Sequence, residues 1–180
     1  SEQRIMTSGQ GAAIREAIRS DEVMRNVKKM ADNWKEVSDT PIQEKHEEWT
    51  IPIARSPISV AQQLINMGTP DEPLAGNFTG ELKTRVFDTN STLRDNAIKY
   101  VEADGYELIW DLDKDFRVMD RYAVRKTLTD MLDDIAGTVD SLFIGDVTVY
   151  VCHAKRAMVI SNIKHDYLLD KCQAVNYRHT

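Results

Sequence analysis

Residues 90–111 read NSTLRDNAIKYVEADGYELIWD, and within them a helix pattern runs straight into a strand pattern. Asn90 and Ser91 are cap residues, and Leu93, Ala97, Tyr100 and Val101 recur at helical spacing. Gly105 stands where a helix would close in a left-handed residue. Tyr106, Leu108 and Trp110 then alternate with Glu107, Ile109 and Asp111, which is the period of a strand. A helix joined so directly to the next strand folds back and packs on it.

Working outward, Leu82 to Phe87 suits a strand before this helix. After it, Asp111 to Asp115 reads as a turn, and Phe116-Arg117-Val118-Met119 opens a third strand. Val124, Leu128, Met131, Leu132, Ile135, Ala136 and Val139 form the cleanest helical stripe in the chain. Val147 to Cys152 and Ala157 to Ile160 make a hairpin across a tight connection at His153 to Arg156, without an Asn-Gly turn signal. The predicted order is strand, helix, strand, strand, helix, strand, strand. This is an α+β fold in which two helices cover one face of a small mixed sheet.

Upstream, Trp49 to Ile53 is extended, and Pro52 suits an edge strand. Ser56-Pro57 signals a helix start, Val60, Ala61, Leu64 and Ile65 give it an apolar face, and Gly68 ends it. Residues 68–77 are rich in Gly and Pro and read as a linker. In the first stretch Ile14, Ala17, Met24, Val27, Ala31 and Trp34 lie on one helical stripe, which Ser38-Asp39-Thr40-Pro41 stops. The expected organisation is a helical region over 1–45, a strand–helix unit and linker over 46–75, the α/β module over 76–162 and a tail over 163–180.

The 180 residues carry a net charge of −6, with basic residues scattered among acids, so there is no electrostatic footprint for nucleic acid. An apolar fraction of 42% builds a core, yet no apolar run approaches the roughly 20 residues that span a bilayer. The chain opens Ser1-Glu2-Gln3 without a basic start leading into an apolar stretch, so a secreted origin requires prior removal of a leader. Cys152 and Cys172 are the two cysteines. An even count permits one disulfide in an oxidising compartment, and two unpaired small hydrophobes in a cytosolic protein fit equally well.

Asp111, Asp113 and Asp115 open like a calcium loop, but Phe116 stands where such a loop needs Gly, and Tyr122 where it needs a bidentate Glu. They read as a solvated turn. His46, His153, His165 and His179 do not pair at a metal-ligand spacing, and there is no Gly-x-Ser-x-Gly, phosphate loop or activated cysteine. Asp133 and Asp134 read as the outer face of a helix. No catalytic, cofactor or metal site is expected, and the chain is expected not to be an enzyme.

Ser91-Thr92-Leu93-Arg94, Gly105 to Asp111 and the closing hairpin from Tyr150 through Arg156 to Ile160 resemble the C-terminal domain of the toxin-coregulated pilus biosynthesis protein Q and PilL-like family. Tyr100 stands where that family usually has Trp, and Ala154-Lys155-Arg156 lacks its hairpin Asn. The strand–helix order also resembles the small N-terminal domains of secretins and the periplasmic lipoproteins of type IVB secretion systems. The resemblance implies a non-catalytic accessory protein without a cofactor, periplasmic and associated with the outer membrane. Such a protein binds or positions a secretin or another pilus or secretion-system protein, and it is a candidate for a homo-oligomeric ring. It belongs to a type IVb or conjugative pilus or a secretion machine and touches the membrane only indirectly. A cell-envelope hydrolase or small-ligand protein on the same sheet is the alternative. In that compartment Cys152 and Cys172 are candidates for a disulfide, since Cys152 ends a strand and the tail has the length to fold back over it.

Overall fold

The computed structural model describes residues 48–175. The helix expected over 14–34 and its stop at 38–41 lie outside these residues. Strand β1 (Thr50–Pro52) leads into helix α1 (Val60–Asn66), and β2 (Lys83–Phe87) into α2 (Leu93–Ala103). Three strands follow, β3 (Glu107–Asp111), β4 (Lys114–Phe116) and β5 (Tyr122–Lys126), and then α3 (Leu128–Val139). The hairpin β6 (Thr148–Cys152) and β7 (Ala157–Ser161) is followed by α4 (Asp166–Lys171) and β8 (Gln173–Val175).

Local chemistry explains where the sequence pattern and the structure part. Thr92, not Asn90 or Ser91, caps α2: its hydroxyl accepts the Asp95 N–H at 3.1 Å. Asn90 shapes the approach in a left-handed conformation, φ 70. Gly105 closes the helix at φ 90, with its N–H and that of Tyr106 reaching back to the Glu102 and Val101 carbonyls. Helix α1 starts at Val60 behind the cap Ser59, three residues beyond Ser56. Val124 is in phase with the α3 stripe but belongs to β5, where it pairs with Arg85; Thr127 then caps α3. The strand expected over 116–119 stops at Phe116, because the Val118 N–H donates to the Ser91 carbonyl at the entry to α2. Separating β4 from β5 adds one strand to the expected order.

The main sheet has the order β8-β6-β7-β3. β7 lies between β6, antiparallel to it, and β3, parallel to it in the register Glu107↔Ala157 to Asp111↔Ser161. Two antiparallel pairs, β1–β4 and β2–β5, stand beside it. A two-helix cover on one face was expected, and the structure covers both faces. Val149, Val151, Met158 and Ile160 pack with α2 and α3, joined by Trp49 and Leu74. On the opposite face Ile109, Tyr150, Cys152, Ala157 and Val159 meet Val60 and Leu64 of α1 and Leu168 of α4.

The segments expected to be separate from the module are therefore part of its packing. The Gly- and Pro-rich stretch is tied down as well: the Leu74 N–H donates to the His153 carbonyl, Lys155 to the Gly68 carbonyl and Arg156 to the Glu72 carbonyl. Leu64 is fully buried. Leu64→Ala is expected to lower the unfolding free energy by about 2–5 kcal/mol, as for other buried Leu truncations. Denaturant titration checks this, and a loss below about 1 kcal/mol would remove α1 from the core.

Candidate functional site

Asp111 ends β3 and gathers four segments of the chain. Its Oδ2 accepts from the Ser161 hydroxyl at 2.6 Å and lies 2.6 Å from His165 Nε2. Arg55 Nη1 stands 2.9 Å from Oδ1 and donates to the Asp111 carbonyl at 2.8 Å, while its Nη2 donates to Asn162 Oδ1 at 2.7 Å. The β1–α1 connection, the ends of β3 and β7, and the start of α4 are thus held by one carboxylate. Burial works to raise the pKa of Asp111, but the hydrogen bonds to Ser161 and His165 and the Arg55 charge outweigh it and hold the carboxyl below its ordinary value.

The cluster contains Ser, His and Asp but is not wired as a nucleophilic relay. Ser161 and His165 both engage the same oxygen of Asp111, and Ser161 is only 1% exposed. The arrangement works as a latch.

The expected solvated turn is therefore corrected. Asp111 and Asp115 are both buried, and Asp113 alone of the three is exposed. Asp115 Oδ1 accepts the backbone N–H groups of Arg94 and Phe116 at 3.0 and 2.7 Å, fixing β4 to the first turn of α2. Burial raises its pKa more than these bonds lower it. Asp133 is buried too, against the expected outer-face position, while Asp134 pairs with Lys126. Among the described residues no group of three or more His, Cys, Asp or Glu is placed to hold a metal. Cys152 and Cys172 are joined by a disulfide that ties the end of β6 to the residue after α4.

Beside the latch lies a cleft of about 400 Å³ along the outer edge of β3. Its floor is Leu108 to Asp111, one wall is Ile53, Ala54, Ser56 and Gln63, and Arg94 stands at the start of α2. Among the described residues β3 pairs with β7 alone, so its other side is an unfilled sheet edge. Arg94 falls within the Ser91-Thr92-Leu93-Arg94 resemblance, but its place beside the cleft, like the roles of Arg55 and His165, comes only from partners brought together by the fold.

Two outcomes follow from this geometry. A carboxyl whose folded pKa is depressed adds stability that is present above its unfolded value, near 3.8, and is lost as pH falls through the lower folded value. Asp111→Asn should therefore unfold more easily at pH 7 by about 1–3 kcal/mol and lose less than the parent on further acidification below pH 4. Urea titrations at pH 7 and pH 3 measure both, and parallel pH profiles would contradict the assignment. Intact mass of the non-reduced protein should fall two hydrogens short of the reduced form. Reduction should cost about 3 kcal/mol of stability for a loop of this length.

No curated protein and no solved structure matches the chain. Residues 85–162, from within β2 to just past β7 and under half of the chain, match the family model of toxin co-regulated pilus biosynthesis protein Q.

Proposed function

We propose that this chain is a periplasmic accessory protein of a type IVb or conjugative pilus, and that it works by binding or positioning an outer-membrane secretin. The single observation that carries the reading is the match of residues 85–162 to a family named for pilus biosynthesis. The disulfide supports the compartment, since disulfides persist in oxidising surroundings such as the periplasm. The open edge of β3 supports binding as the mode of action, because unpaired backbone groups are a template for a partner strand. The cluster of Ser161, His165 and Asp111 gives a hydrolase no activated hydroxyl.

The test uses the full chain, because Trp49, Leu64 and Leu74 belong to the packing and a fragment starting at residue 76 would lose them. The full chain, immobilised, should retain the periplasmic region of its cognate secretin. No retention by analytical ultracentrifugation or pull-down, with both proteins folded by circular dichroism, would overturn the reading.

A further inference from the structure

We infer that the cleft along β3 is a strand-addition site, taking an extended segment of a partner protein that carries a carboxylate opposite Arg94. The inference rests on the assembly reading above for the nature of the partner, and adds the surface and the chemistry that recognises it.

The backbone determines the mode. The Glu107 N–H donates to the Arg156 carbonyl at 3.3 Å, on the β7 side. A parallel ladder alternates sides residue by residue, so the N–H and C=O groups of Leu108 and Trp110 face the other way. These are two donors and two acceptors, spaced for a strand laid alongside. The Leu108 and Trp110 side chains are committed to the core on the α2 and α3 face, and the Trp110 indole N–H donates to the Lys114 carbonyl at 2.9 Å. Rotamer changes therefore leave the edge in place. The cleft volume of about 400 Å³ suits a few extended residues and not a helix of the usual 10–12 Å diameter.

Charge sets the polarity of the occupant. Asp111 at the end of the cleft has its carboxylate committed to Arg55, Ser161 and His165. The Arg94 side chain is 42% exposed, and among the described residues its one ion pair is a long 3.7 Å contact to the exposed Asp95, a pair of little worth in water. A carboxylate on an added strand would give this guanidinium a partner screened from solvent by the strand itself. A lysine at the same position would be repelled.

The experiment is the panning of a random dodecapeptide phage library on the full chain, with counter-selection on Ala54→Trp. Ala54 is exposed on the cleft wall, and a Trp there fills the space without touching the core. Clones that bind the parent and are lost on Ala54→Trp are expected to carry Asp or Glu at a fixed place in an alternating apolar run. Arg94→Glu should weaken them by about fivefold or more, as removal and reversal of one charge contact. Hydrogen exchange of the parent with a selected peptide should show the Leu108 and Trp110 amides newly protected. Clones indifferent to Ala54→Trp, or protection elsewhere, would overturn the inference, as would the absence of any cleft-dependent clone. Since no secretin enters the assay, its outcome stands apart from the pull-down: a selected peptide without secretin retention would keep the site and discard the secretin as partner.

Discussion

The rest of this structure depends on the burial of β7. All five of its residues are buried, three strands run beside or next but one to it, and each face of the sheet needs an apolar cover. Helices α2 and α3 supply one cover. The other has to come from chain outside the central pattern, and it comes from α1 before it and α4 after it. A parallel partner strand imposes the same requirement, because parallel sheets are stable only when both faces are shielded from water. The unit that folds is thus longer on both sides than the stretch that matches a family.

Charged groups inside this unit serve as ties between layers. Arg85 is 2% exposed in β2 and meets Asp104 at the end of α2 at 3.0 Å while donating to the Lys126 carbonyl of β5. The Tyr100 hydroxyl joins α2 to both backbone groups of Val86 in β2. Asp115 does the same between β4 and α2, and Asp111 between β3, β7, the β1–α1 connection and the start of α4. Removing one member of such a tie leaves its partner buried without compensation, which is costlier than the tie is worth when intact. These groups fix which face each element presents, whereas the apolar stripes only require that some face be covered.

The helix-to-strand passage at 90–111 was legible because its signals are local: a cap, a 3.6-residue stripe, a left-handed glycine and an alternation. The hairpin at 147–160 was legible for the same reason. Val124 was misread because one residue satisfied two periods, lying four before Leu128 and alternating with the exposed Ala123 and Arg125. The second cover was not legible, since Val60, Leu64 and Leu168 look like any short amphipathic turn until Val159 is known to be buried on both sides. The cleft was beyond local reading altogether. An open edge is a property of strand order, and nothing in Glu107 to Asp111 says whether a neighbour lies on the far side.

The pairing of β3 with β7 joins residues 50 positions apart, as at Asp111 and Ser161. Thr50 finds Phe116 and Lys83 finds Lys126 across comparably long stretches of chain. Among the strand pairs of the described residues only the β6–β7 hairpin closes a short loop. A topology this non-local closes its loops late and folds slowly, because the entropy of closure is lost before the contacts that compensate it have formed. Until those closures form, the apolar strands Val149 to Cys152 and Ala157 to Ile160 lack the layers that bury them in the folded chain. Slow closure leaves apolar strands open to self-association for longer, and a holding chaperone would limit that exposure.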